Sequence, residues 1–361
     1  MLCLSPGKGG LELYANRSIK ILKSLGHQCI TVCSQQSSVF NVGSESTQNV
    51  IYTLKISFRL LPLFTAYKLS RIIVKNNIDI IHIHWSRDFN IAVFAKILSP
   101  SNVKLIYTRH MAITRHKDDL YHKFLYGQVD RFVVITKQLM KEANEFLPLA
   151  KSKIKLLYHA INKPQSSAVN CDKFSINGNS KTVLHVAIFS RIEEGKGQHL
   201  LVDAVQALKL KDKEVHVTII GHVMDGEYYQ QLQKNISEYQ LENQFHFFEF
   251  IEQASSYMSC FDVVALTTYA ETFGLVLIEA MQAGVAVIGS NAGGVPEIIH
   301  DKVSGLLFNS RDAESLSKKI EYYFDNPETR KEIALQGKNS VEVDFSEEQH
   351  KKALNEIVEG L

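Results

Sequence analysis

Short, nearly continuous Val/Ile/Leu runs alternate with amphipathic stretches along this chain, stop once, and then begin again. Such runs read as strands buried on both faces, the condition found in parallel sheets covered by helices. In the first half the expected strands are Leu2–Ser5, Gln28–Cys33, Asn49–Leu54, Asp79–His84, Lys104–His110 and Arg131–Thr136, with Lys153–His159 last. Helical patterns such as Glu12–Leu25 and Thr65–Asn76 fall between most of them. The stretch Asn162–Ser180 has no periodicity and reads as a linker. The alternation then restarts with Val183–Phe189, Val215–Gly221, Phe245–Phe250, Asp262–Thr268, Ala286–Ser290 and Gly305–Phe308. An α/β chain of two doubly wound parallel sheets is expected, and such sheets bind ligands at the carboxyl ends of their strands.

A length of 361 residues, 45% of them hydrophobic, suits two cores rather than one. No run approaches the roughly 20 apolar residues that cross a bilayer. The opening Met-Leu-Cys-Leu-Ser-Pro-Gly-Lys lacks the basic-then-apolar layout of a signal peptide. Five cysteines without any Cys-x-x-Cys are read as a reduced thiol set in a cytoplasmic protein. Charge is split: residues 1–160 hold 22 Lys+Arg against 9 Asp+Glu, or +13, whereas residues 161–361 hold 18 against 29, or −11. No zinc-finger or RNP-type motif accompanies the basic half, so nucleic acid is not expected as a partner. An anionic membrane surface or an acidic glycolipid suits it better, and Lys55–Lys75, which interleaves five cations with aromatics and leucines, could lie on such a surface.

The motifs lie just past expected strand ends. Glu271 and Glu279, seven residues between them, bracket the step from the loop after Asp262–Thr268 into a helix beginning near Leu275. Unpaired amides at Gly274–Leu275 and the positive end of the helix make an anion site between two carboxylate acceptors. A ligand with phosphate in the middle and hydroxyls at both ends fits, and a nucleotide sugar is one. Ala292–Glu297 is a second glycine-rich loop. Arg191 and Lys196 stand on one loop after Val183–Phe189 and can converge on a diphosphate. That loop is not a P-loop, since Ser190 replaces the first glycine and Gln198 follows Gly-Lys-Gly. The Gly7–Glu12 segment fails as a dinucleotide fingerprint, because Glu12 stands where the third glycine belongs, but Gly9 and Gly10 suit backbone approach to a phosphate. His82 and His84 alternate along one strand without a third metal ligand at suitable spacing, so no metal is expected.

The Glu-x7-Glu element, the Arg/Lys-Gly loop, Gly-Gly-x-x-Glu and the N-terminal Gly-Gly occur in order over nearly the whole chain, which resembles the retaining glycosyltransferases of family 4. The resemblance implies the GT-B fold, two Rossmann-like domains facing across a cleft. Residues 1–161 would be the acceptor-binding domain, 162–180 the linker, 181–340 the nucleotide-sugar-binding domain, and 341–361 a helix packing back on the first domain. It also implies that Arg191 and Lys196 neutralise the leaving diphosphate, that Glu279 holds the ribose and that Glu271 holds the transferred sugar. Gly9 and Gly10 would face the diphosphate, and His110 would point toward the donor sugar. The expected reaction transfers a sugar from a UDP- or GDP-linked donor to a cell-surface glycan or a lipopolysaccharide or glycolipid precursor. No cofactor or metal is expected, and the absence of Asp-x-Asp agrees with cationic side chains neutralising the diphosphate.

Three departures from the family pattern stand out: Tyr158–Asn162 in place of Asn-Gly-Ile/Val-Asp, Ser190 before Arg191, and Gly284-Val285-Ala286 without a proline. Two alternatives remain open on sequence, a sugar-nucleotide epimerase of the same fold and a non-catalytic donor-binding subunit. Residues Arg109–Lys123 add cations beside His110 that could receive an anionic acceptor. Peripheral contact with the inner face of the cell membrane is the corresponding expectation for location.

Overall fold

A computed structural model describes residues 1–7, 9–39, 50–55, 62–160, 169–174, 183–251 and 253–361. The expected linker therefore lies outside the described residues except for 169–174. The chain divides into two compact units, Met1–Tyr158 with Glu348–Leu361, and His159–Glu347.

Each unit is built on one parallel sheet. In the first, the described strands are β1 (Leu2–Cys3), β2 (Ile30–Cys33), β3 (Val50–Thr53), β4 (Ile80–Ile83), β5 (Lys104–Arg109), β6 (Arg131–Val134) and β7 (Ile154–Leu156), in the order β3-β2-β1-β4-β5-β6-β7. The second holds β8 (Val183–Phe189), β9 (Glu214–Ile220), β10 (Phe245–Phe248), β11 (Val263–Leu266), β12 (Ala286–Ser290) and β13 (Leu306–Phe308), in the order β10-β9-β8-β11-β12-β13. Strand order reverses between β1 and β4 and between β8 and β11, the doubly wound arrangement expected from the two runs of alternation. The residues of β11 and β12 are all buried, as strands covered on both faces must be. Among the described residues no helix is long and apolar enough to cross a membrane.

The last helix, Glu347–Glu359, belongs to the first unit from Glu348 onward. Its Leu354 and Ile357 are buried against Ile21, Leu22, Ile106, Val133 and Leu157. His350 Nδ1 donates to the Tyr158 carbonyl at 2.7 Å, and Arg131 Nη2 donates to the Gly360 carbonyl at 2.6 Å. Leu354 is fully buried, so Leu354→Ala should cost about 2–5 kcal/mol, checked as a lower urea midpoint for the first unit at unchanged m-value.

The thiol expectation needs correction. Cys171 and Cys260 form a disulfide, with their Cα atoms 5.5 Å apart across 89 residues of sequence. Phe174 brings them together: it is buried against the rings of Phe248, Tyr257 and Phe261, which sets Cys171 beside the end of the Ala254–Cys260 helix. Cys3, Cys29 and Cys33 are free thiols.

Candidate active site

In the second unit, the loops that leave β8 and β11 meet at the point where strand order reverses. The first loop carries Ser190–Gly197 and the second Thr267–Gly274. They are stitched together through backbone: Thr267 Oγ1 donates to the Lys196 carbonyl at 2.7 Å, and the Tyr269 N–H donates to the Gly195 carbonyl at 3.1 Å. Thr268 Oγ1 also donates to the Gly195 carbonyl, at 3.1 Å. Gly197 makes the contact possible. It has φ +69°, and a Cβ there would lie 2.3 Å from the Thr267 carbonyl oxygen. Gln198, fully buried, closes the first loop by donating to Ser190 Oγ at 3.1 Å and to the Arg191 carbonyl at 2.8 Å.

This backbone stitching places Lys196 Nζ 3.0 Å from Glu271 Oε2, with about a fifth of one side chain and a quarter of the other exposed. Arg191 lies further out and pairs with Glu193 at 2.9 Å, so the two cations of the loop are held by different carboxylates. Glu271 is fixed from behind by the second glycine loop, whose Gly294 N–H donates to the Glu271 carbonyl at 2.8 Å. Gly293 has φ +61°, and a Cβ on it would stand 2.1 Å from that same oxygen.

Three residues after Glu271, Gly274 turns the chain with φ +105° into the helix Leu275–Gln282, whose start carries no capping side chain. Its first amides therefore offer donors, and the helix dipole adds positive potential there. Glu279 lies in the second turn of this helix. Burial pushes its carboxyl up to about 7, well above the ordinary glutamate range. The arrangement thus joins a cation, open helix-terminal amides, a carboxylate paired to that cation, and a second carboxyl poised near neutrality. It can bind an anion flanked by hydroxyl groups.

The remaining expected site residues lie in the first unit. Gly9 donates its N–H to Glu12 Oε2 at 2.8 Å, and the buried Glu12 also accepts from Ser5 Oγ, so the loop is shaped by a carboxylate. That commits the Gly9 amide, while Gly10 is exposed at the start of the helix Gly10–Ser24. His110 follows β5, with Nε2 3.1 Å from His84 Nδ1 and its ring 5.0 Å from that of Tyr14. Burial lowers the His110 imidazole to about 3, so it is neutral at physiological pH. His82 shares a hydrogen bond of 2.7 Å with Thr108 Oγ1.

Several supporting residues carried no sequence signal of their own. Tyr269 Oη meets His199 Nε2 at 3.1 Å, His199 Nδ1 meets Tyr228 Oη at 2.9 Å, and the Arg311 guanidinium lies 4.4 Å from the Tyr269 ring centre. Their spacing is set by four separate segments of the chain. Only the glycines at 197 and 293 gave a hint, as the smallest residue in loops that already held candidate charges.

Two family models match the chain: "Glycosyl transferases group 1" over residues 170–340 and "Glycosyltransferase Family 4" over residues 8–163. An uncharacterized glycosyltransferase of Methanocaldococcus jannaschii is 24% identical over 344 residues, covering 92% of this chain and 90% of its own. The N-acetyl-alpha-D-glucosaminyl L-malate synthase of Bacillus anthracis is 23% identical, covering 78% and 75%. Among solved structures, Anabaena Alr3699/HepE in complex with UDP superposes with a TM-score of 0.85 at 20% identity, covering 100% of this chain and 99% of that one. Its complex with UDP-glucose gives a TM-score of 0.83 over the same spans.

Proposed function

The chain belongs to the group 1 glycosyltransferases of family 4, and on that footing we propose that it moves a sugar, with retained configuration, from a UDP- or GDP-linked donor to an acceptor hydroxyl. The Lys196–Glu271 pair beside the open start of Leu275–Gln282 is the observation that carries this reading. The two side chains satisfy each other. A donor diphosphate would take Lys196, and the carboxylate it releases would accept hydrogen bonds from hydroxyls of the transferred sugar.

The bond that breaks joins the anomeric carbon to a diphosphate oxygen, which keeps the electron pair. Lys196, Arg191 and the amides at Gly274–Leu275 would stabilise that growing charge, a contribution that is often the largest in such reactions. The acceptor oxygen bonds to the anomeric carbon, and its proton passes to the departing phosphate. Glu279 would hold the ribose hydroxyls. Gly9, Gly10 and His110 enter through the family resemblance alone, with His110 neutral and able to hydrogen bond to a sugar hydroxyl. Cationic side chains and amides supply the positive charge in this scheme, so no metal is called for. The acceptor proposed is a cell-surface glycan or a lipopolysaccharide or glycolipid precursor, in keeping with the +13 of residues 1–160.

The test is thermal stabilisation by UDP-, GDP- and ADP-sugars with and without EDTA, followed by product analysis. Binding to the native state alone should raise the melting temperature by mass action. An EDTA-insensitive rise for one nucleotide class, followed by sugar transfer to an acceptor, is the expected result. Altered sugar nucleotide with no acceptor product would make the protein an epimerase, and binding without turnover would make it a donor-binding subunit.

Glu279 gives this reading a pH signature. Its folded pKa lies above the ordinary value, so the folded state holds an extra proton between about pH 4.5 and 7, and stability from this group falls as pH rises through that window. Ribose hydroxyls donate best to the ionised carboxylate. Affinity for UDP-glucose, whose diphosphate does not titrate here, should rise about tenfold from pH 6 to 8. Glu279→Gln should flatten that rise, and Glu279→Ala should mainly raise the donor's KM. A pH-independent donor affinity in the unaltered protein would remove Glu279 from the ribose.

A further inference from the structure

Two helices of the first unit turn apolar side chains to solvent where a purely water-facing helix would be polar. In Leu63–Lys75 the packed stripe is Thr65, Ala66, Leu69, Ser70 and Ile73, yet the opposite stripe carries Phe64 at 63% exposure and Tyr67 at 55%, together with Lys68, Arg71 and Lys75. In Leu120–Gly127, Leu125 and Tyr126 are buried, and Leu120 at 86% and Phe124 at 47% face outward beside Lys123.

Topology gathers these side chains at one edge. The crossovers β3 to β4, β4 to β5 and β5 to β6 all step the same way along the sheet, so right-handed connection puts their helices on one face. Leu63–Lys75 packs on the helix Phe89–Leu98, and Phe89 of that helix lies 4.9 Å from the Tyr126 ring, so the three are neighbours. Each begins at the carboxyl end of the sheet, which puts Phe64, Tyr67, Leu120 and Phe124 in first or second turns along one belt. At about 10 Å between neighbouring helices, the belt is roughly 20 Å wide. Trp85, the only tryptophan of the chain, follows β4 on the way to the helix Phe89–Leu98; it is half-buried, with the Arg87 guanidinium 5.3 Å from its ring centre. Lys68 Nζ lies 4.4 Å from the Phe64 ring centre in the same manner.

Cations outnumber acids along this belt. Lys68, Arg71, Arg87, Arg115, Lys117 and Lys123 stand against Asp118 and Asp119, within a segment of +13 overall. Exposed aromatic and leucine side chains interleaved with cations match the boundary of an anionic bilayer, where rings sit at headgroup depth and cations meet phosphates. We propose that this edge of the first unit docks on an anionic phospholipid surface, with Phe64, Tyr67, Leu120 and Phe124 entering the headgroup boundary. The proposal rests on the surface alone and is independent of the donor-site reading.

Trp85 is a built-in reporter. The full chain would be mixed with vesicles of phosphatidylcholine alone or of equimolar phosphatidylcholine and phosphatidylglycerol, at low and high salt, with and without brominated acyl chains. Expected are partitioning at least about tenfold stronger onto the anionic vesicles, weakening with salt, and quenching of Trp85 emission by the bromines. The double variant Phe64→Ser/Leu120→Ser alters two exposed side chains, so its circular dichroism and melting should be unchanged while partitioning falls about tenfold or more. Equal binding to both vesicle types, or no binding to either, would overturn the proposal. So would anionic binding that leaves Trp85 unquenched or is the same in the double variant, because bulk charge would then be acting through another face.

Discussion

Lys196→Ala is expected to lower kcat by about 10²–10³, the scale of losing one preorganised group that stabilises transition-state charge. The structure adds a second consequence. Glu271 would lose its partner at 3.0 Å and remain a half-buried carboxylate facing the position proposed for the diphosphate. Donor affinity should therefore fall along with turnover, and Lys196→Ala/Glu271→Gln should recover part of the affinity but little of kcat. Effects in a touching pair of this kind do not add, so the double-mutant cycle should show a sizeable coupling. Steady-state kinetics on the purified variants checks both statements. Unchanged turnover in Lys196→Ala would take this lysine out of the mechanism.

Gly293→Ala should be almost as damaging, although residue 293 carries no functional group. A methyl there meets the Glu271 carbonyl at 2.1 Å, and that carbonyl cannot retreat without giving up the 2.8 Å bond from the Gly294 N–H. The backbone of Glu271 must shift, and its carboxylate with it. Positive φ alone costs of order 1–3 kcal/mol for a non-glycine residue. Gly284→Ala separates the two effects, because Gly284 has φ +76° but its added Cβ would meet only the end of Lys338, at 4.0 Å. Both variants should lose thermal stability; only Gly293→Ala should also lose donor affinity, by about tenfold or more if the displaced contact was worth 1.4 kcal/mol. Equal donor affinity in the two variants would mean that the brace behind Glu271 does not matter for binding.

The fold was legible because parallel strands buried on both faces leave continuous apolar runs, and every expected strand has a counterpart in the two sheets. Ends were less legible: β1 is only Leu2–Cys3, where Leu2–Ser5 was expected, since the Leu4 N–H is donated to Asp88 Oδ2 at 3.0 Å instead of to a neighbouring strand. The site was legible as a set of loops but not as a set of pairs. Lys196 and Glu271 are 75 residues apart, and nothing local says that they touch. Arg191 and Lys196 were expected to act as one clamp, yet Arg191 is paired with the acid two residues away, Glu193. Glu279 showed its spacing in the sequence but not its burial, which neighbouring elements impose. Cys171 and Cys260 were hidden in the same way, their approach being set by the packing of Phe174.

The placement of Glu347–Glu359 has a consequence for how the protein is made. During synthesis the first unit emerges with Ile106, Val133 and Leu157 of its sheet lacking their cover, and residues 159–347 must be made before Leu354 and Ile357 can reach them. At about 5–20 residues per second, that patch stays open on the ribosome for roughly 10–40 seconds. The second unit is continuous in sequence and can close on itself as it emerges. The half made first is therefore completed last, and during that interval the nascent chain offers an apolar surface for a chaperone to hold.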